Sequence, residues 1–175
     1  MGQLRLDNEP TAADLPPEED VYLFPVSFAQ QRLWFLDQFE PGSPFYNIPS
    51  AVRMTGDLNV EALEHALNEI VRRHEILRTT FDVVDGEPVQ VISPRGTLSL
   101  PVEDLQALPE AQREVEAVRL ANEEARLPFD LRTGPLMRVK LLRLAEDDHV
   151  ILLTMHHIIS DGWSIGVLVK EIAVL

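Results

Sequence analysis

Apolar residues recur along this chain at two spacings, and the first of them predicts helices. Between Leu63 and Val71 the apolar positions fall three and four residues apart, which is typical of one buried helix face. Asn59 stands immediately before this run, where a side-chain oxygen can cap the first turn, and Ser27 stands in the same relation to another run. The helices predicted in this way span residues Ser27–Phe39, Val60–Arg73, Pro109–Arg126 and Trp163–Leu175.

The second spacing is alternation, or a short continuous apolar run, and it predicts strands. Asp85-Gly86 separates two alternating runs and is a strong signal for a two-residue hairpin. A mixture of helices and strands that includes hairpins predicts an α+β fold. The predicted strands span residues Tyr46–Thr55, Leu77–Val84, Glu87–Ile92, Leu98–Val102, Leu136–Leu144 and His149–His156.

The composition changes along the chain and predicts one domain preceded by an arm. Residues 1–22 are rich in proline, acidic and small residues, so they carry too little apolar surface to order themselves. We interpret them as a linker or mobile arm, and residues 23–175 as one folded unit. A chain of 175 residues is long enough to bury one good core.

Charge and residue usage exclude several classes of function. A formal net charge of −14 argues against nucleic acid as a partner, because phosphates are bound by clustered lysine and arginine. The chain has no cysteine, which excludes a disulfide framework and fits a cytoplasmic protein. No apolar run approaches the ~20 residues that span a bilayer, and we therefore expect no membrane association.

Candidate chemistry is concentrated in the stretch from His156 to Gly162. Neighbouring strand residues point to opposite faces, so one of His156 and His157 can be buried while the other faces a cleft. A neutral imidazole can exchange a proton at physiological pH. Two buried, hydrogen-bonded histidines are the alternative, and we rank it second. A metal site formed with Asp161 is less favoured still, because the two histidines diverge and further ligands are lacking.

Three motifs together resemble a known family. The seven residues His156–Gly162 read HHIISDG and resemble the HHxxxDG signature of the condensation domains of nonribosomal peptide synthetases, and more loosely the chloramphenicol acetyltransferase superfamily. Residues 27–36 (SFAQQRLWFL) and 73–81 (RHEILRTTF) are similar to the first two core motifs of that family. The resemblance implies one lobe of a chloramphenicol-acetyltransferase-like fold. We expect residues 23–175 to be the N-terminal lobe, the C-terminal lobe to be absent, and this piece alone to be inactive.

The resemblance also implies a role for each site residue. His157 would contact the attacking amine, as base or as hydrogen-bond acceptor, and Gly162 would bring a backbone N–H close to the reacting centre. His156 would be structural. Arg78, on a half-buried strand, needs a hydrogen-bond acceptor, and Asp161 is a candidate. The alternative is that Arg78 lies on the solvent-exposed face of the sheet. The resemblance favours the ion pair, which would fix the loop of the signature.

The implied reaction is amide bond formation between two thioesters presented on the phosphopantetheine arms of upstream and downstream carrier proteins. No cofactor or metal is expected to bind to the chain itself. A CoA-dependent acyltransferase of the same superfamily, or an epimerisation domain, would carry the same signature. A degenerate lobe that only docks carrier proteins is the alternative outside enzymes.

Overall fold

The computed structural model describes residues 21–175, which form seven strands and four helices. The strands are β1 (Tyr22–Pro25), β2 (Asn47–Thr55), β3 (Thr79–Val84), β4 (Glu87–Ile92), β5 (Val102–Asp104), β6 (Met137–Ala145) and β7 (Asp148–His156). The helices are α1 (Phe28–Phe39), α2 (Val60–Arg73), α3 (Glu110–Arg126) and α4 (Gly162–Ile172).

The strands form two sheets. One is antiparallel with the order β1-β4-β3, and the other has the order β2-β7-β6-β5. In the second sheet β7 pairs antiparallel with both β2 and β6, while the short β5 runs parallel to β6. Because β7 has a partner on each side along its length, the strand that ends at His156 is held firmly at the centre of the sheet. The prediction of an α+β fold is confirmed.

Side-chain alternation on β6 and β7 sends apolar residues to both faces of the larger sheet. On one face Leu141 and Leu153 join the main core with Leu67 of α2 and Leu168 of α4. On the other face α3 covers a second cluster, which comprises Leu105, Ala117, Leu120, Leu142, Leu144 and Leu152. The sheet is therefore sandwiched between α3 and the pair of α2 and α4.

Local signals in the sequence place most elements correctly. Ser27 caps α1 in a reciprocal capping box with Gln30, and Asn59 caps α2. Asp85 and Gly86 have φ of 53° and 85°, as a tight hairpin turn between β3 and β4 requires.

Three boundaries differ from prediction. Residues 75–78 form a 3-10 turn, so Arg78 precedes β3 instead of lying within a strand. The strand predicted over Leu98–Val102 lies instead at β5, where it pairs beside β6. The predicted arm lies outside the described residues except for its end, where Tyr22 already pairs with Ile92. All four residues of β1 are exposed, so no burial pattern marks this strand in the sequence.

Candidate active site

The central strand β7 delivers the two histidines to the edge of the main core. His156 donates its backbone N–H to the carbonyl of Leu136 at 3.0 Å, and His157 donates to the carbonyl of Tyr46 at 2.8 Å. Both backbone positions are therefore fixed by the residues that immediately precede β6 and β2.

His156 is buried and neutral. Its side chain packs against the rings of Phe129 and Tyr46, with centroids 6.1 and 6.3 Å away. Nδ1 accepts the backbone N–H of Ile158 at 3.1 Å. Burial, helped by the neighbouring charge of His157, lowers the pKa of His156 to about 4. A group that stays neutral and enclosed in this way is suited to holding the loop in place.

His157 is exposed and lines a cleft. Its Nδ1 lies 2.7 Å from the carbonyl oxygen of Ser160. A carbonyl can only accept, so in the neutral ring Nδ1 carries the proton and Nε2 has a free lone pair. No group in residues 21–175 hydrogen-bonds to this Nε2. The geometry thus presents a proton acceptor of fixed tautomer.

The loop between the strand and α4 is closed by its own hydrogen bonds. The carbonyl of His156 accepts the N–H of Ile159 at 3.1 Å and the hydroxyl of Ser160 at 3.3 Å. Ile158, Ile159 and Ser160 are buried. His157 therefore projects from a rigid turn into the cleft.

Asp161 fixes the start of α4. Its Oδ1 accepts the N–H of Ser164 at 2.8 Å and the Ser164 hydroxyl at 2.6 Å. These hydrogen bonds lower the pKa of Asp161. The carboxylate is therefore engaged by the helix that it caps.

The expected ion pair between Arg78 and Asp161 is wrong for the described residues. Arg78 donates instead to the carbonyl of Ser93 and, at 3.4 Å, to the carboxylate of Glu75. The 3-10 turn that ends at Arg78 directs its side chain to the loop after β4, and Gly96 of that loop packs closely over it. The alternative of an exposed Arg78 is also wrong, because its side chain is 12% exposed.

Gly162 is the first residue of α4, and its φ lies outside the left-handed region. The backbone at this position therefore does not require the conformational freedom of glycine. A Cβ built at Gly162 would meet nothing within 4 Å. Gly162 adjoins the cleft but is not one of the residues that line it.

The cleft has a volume of about 860 Å³ and is lined by five separate stretches of the chain. The first motif contributes residues of α1 and the Ser27 that caps it. The sequence analysis did not identify Gln90 of β4, Tyr46 or Ile76 as site residues, because only the three-dimensional fold brings them into the cleft that His157 lines. The lining includes Ser27, Gln30, Leu33, Tyr46, Ile76, Gln90, His157 and Ser160.

Two further properties concern residues 21–175 only. Within this range no group of three or more histidine, aspartate or glutamate side chains is arranged to hold a metal ion. None of the four helices has the length and apolarity needed to cross a membrane.

Comparison with known proteins identifies the family to which the chain is similar. Residues 19–175 match the model of the condensation domain. One of the linear gramicidin synthase proteins of Brevibacillus parabrevis is 55% identical over 168 residues, which are 96% of this chain and 3% of that protein. Phosphinothricin tripeptide synthetase PhsC of Streptomyces viridochromogenes is 49% identical, over 86% of this chain and 14% of that protein.

A solved structure has the same fold. The starter condensation domain of rhizomide synthetase RzmA matches with a TM-score of 0.80 and 28% identity, over 87% of this chain and 36% of that one. The chain thus spans a small part of the curated relatives it matches and about a third of the solved domain.

Proposed function

The chain belongs to the condensation-domain family, and from this membership we propose that it supplies the histidine-bearing wall of an active site that forms amide bonds. The donor is an aminoacyl or peptidyl thioester, whose C–S bond breaks and releases the thiol of its arm, and the acceptor is the amine of a second aminoacyl thioester. Both are presented on phosphopantetheine arms by carrier proteins, which are the proposed partners, in the cytoplasm. The chain itself holds no cofactor in this proposal.

The observation that carries the proposal is the contact between His157 Nδ1 and the Ser160 carbonyl. It leaves Nε2 as the acceptor in the cleft, where it can receive a proton from the attacking amine or orient that amine by a hydrogen bond. Alignment of two bound reactants contributes several kcal/mol on its own. Either role requires the tautomer that Ser160 imposes.

The residues around His157 support it without exchanging protons. His156 stays neutral, since its pKa is about 4, and it anchors the turn through the contact with Ile158. Asp161 fixes the orientation of α4 through Ser164. The N–H of Gly162 lies in the first turn of that helix, where backbone N–H groups have no intrahelical acceptor, and is the proposed donor to the developing oxyanion.

We also propose that residues 21–175 by themselves have little activity. The His157 side chain is exposed and its cleft is open. Hydrogen bonds and charges contribute most to catalysis in a site from which water is excluded.

The test is dipeptide formation from two loaded carrier proteins, by a protein in which this chain is joined to the remainder of a condensation domain. Wild type is compared with His157→Ala, and His65→Ala, which changes an exposed histidine of α2 outside the cleft lining, is the matched control. Acyl-CoA is offered as a competing donor. Product from carrier-bound donor that is lost only in His157→Ala supports the proposal.

Two outcomes contradict it. Product from acyl-CoA alone would assign the site to general acyl transfer. Binding of loaded carriers without any product would leave the chain as a docking platform.

A further inference from the structure

Two glutamine side chains, Gln30 of α1 and Gln90 of β4, are joined end to end in the wall of the cleft that also contains His157. Gln30 Nε2 donates to Gln90 Oε1 at 3.0 Å. The two residues are 60 positions apart in the sequence, and both are partly buried. The proposed reaction assigns no role to this pair.

Backbone groups of fixed polarity hold both ends of the pair. At one end the N–H of Ser27 donates to Gln30 Oε1 at 2.9 Å, and at the other Gln90 Nε2 donates to the carbonyl of Pro25 at 3.0 Å. An N–H can only donate and a carbonyl can only accept. Neither amide can therefore turn over without losing a hydrogen bond, so the direction of the whole chain of hydrogen bonds is determined.

Counting hydrogen-bond capacity shows what remains for a ligand. Each amide nitrogen carries two hydrogens and each amide oxygen has two lone pairs. The three contacts use one hydrogen of each nitrogen and one lone pair of each oxygen. Each glutamine keeps one N–H donor and one acceptor lone pair, in orientations that the backbone fixes in advance.

We propose that the Gln30–Gln90 pair binds a secondary amide of the thioester-linked substrate beside His157; this inference rests on the proposed function. A secondary amide offers one N–H, which can donate to a free lone pair of the glutamines, and one carbonyl, which can accept a free N–H. A carboxylate could use only the N–H donors. Because the two side chains are already oriented, binding costs little further conformational entropy. The amide belongs either to the phosphopantetheine arm or to the aminoacyl portion.

The test measures binding, so that it does not depend on catalysis. The 175-residue chain is titrated with S-methyl-N-acetylcysteamine, which mimics the arm, and separately with N-acetylalanine N-methylamide, which mimics the peptide. Side-chain NH2 signals of the glutamines are followed by ¹⁵N NMR. The ester analogue 2-(methylthio)ethyl acetate, in which oxygen replaces the amide N–H, is the ligand control.

We expect the Gln30 and Gln90 side-chain signals to shift on saturation with one of the two amides, which identifies the source, and the ester to bind more weakly. Gln90→Met should raise the Kd roughly three- to tenfold, as loss of one or two hydrogen bonds predicts. Gln90→Glu keeps the acceptor for Gln30 but has no N–H to donate, and should weaken binding similarly. Gln31→Met, one residue along α1 and outside the cleft lining, should have no effect.

Two results would overturn the inference. One is amide binding with the same Kd in wild type and Gln90→Met while the backbone signals of α1 are unchanged. The other is the absence of shifts at both glutamines with either amide. If the pair binds an amide but no condensation product forms in the assay with loaded carrier proteins, the amide site stands and the proposed reaction fails.

Discussion

His74 Nε2 lies 2.9 Å from Glu171 Oε2, so the C-terminal end of α2 is joined to the last turns of α4. His74 belongs to the second motif, and α4 begins directly after the turn that carries His157. The contact therefore links two motifs that are far apart in the sequence. It complements the packing of Leu168 in the main core, which holds the same helix against α2.

Glu171→Gln should lower the free energy of unfolding by less than about 1 kcal/mol, because both side chains are partly exposed and such pairs contribute little. Urea denaturation measures the change. A much larger loss would show that this contact, and not the apolar packing, holds α4 in place.

The two histidines should have opposite tautomers. ¹⁵N NMR at neutral pH should place the proton of His157 on Nδ1 and that of His156 on Nε2, since Nδ1 of His156 accepts from Ile158. The reverse assignment at His157 would remove the acceptor from the cleft and contradict the proposed role.

Stability should fall as the pH decreases from about 6.5 to about 4. Burial lowers the pKa of His156 to about 4 and also lowers that of His149, so the unfolded chain binds more protons in this range. For His156 the loss amounts to at most ~3 kcal/mol. Across this range the urea midpoint should depend less steeply on pH in His156→Asn than in wild type, although the variant is less stable at neutral pH. An equal slope would contradict the assignment.

Asp161→Asn should keep most of the stability, because asparagine also caps helices well, whereas Asp161→Ala should lower the urea midpoint. A double-mutant cycle of Asp161→Ala with Arg78→Met should give a coupling energy near zero, since the two residues have separate partners. A substantial coupling would restore the ion pair that the sequence suggested.

Gly162→Ala should leave the folded chain unchanged or stabilise it by up to ~1 kcal/mol, because alanine favours helices and the added Cβ meets no atom within 4 Å. When the chain is joined to the remainder of a condensation domain, dipeptide formation should nevertheless fall, because the added Cβ lies next to the N–H that is proposed to bind the oxyanion. Gly134→Ala is the contrasting variant: its φ is +57° and its Cβ would lie 2.9 Å from Thr80, so the chain itself should be destabilised. Full activity in a folded Gly162→Ala would contradict the role proposed for this N–H.

Features that depend on neighbouring residues could be predicted from the sequence. The caps at Ser27 and Asn59, the hairpin at Asp85-Gly86 and the opposite environments of His156 and His157 all follow from local chemistry and from alternation along a strand. The pairing of β7 on both sides holds the strand end from which the two histidine side chains diverge.

Features that depend on distant partners could not be predicted. Arg78 required an acceptor, but the sequence could not show that the carbonyl of Ser93, 15 residues away, would supply it. Gln90 lies in an ordinary alternating strand, and only the packing of β4 beside α1 places it in the cleft.

The turn from His156 to Ser164 has a practical consequence for recombining condensation domains. The same short segment ends the central strand, sets the tautomer of His157 and starts α4 through the Asp161 cap. A crossover point inside this segment would join a strand end from one parent to a helix start from another. Junctions placed before β7 or after Ser164 would keep the whole segment from one parent.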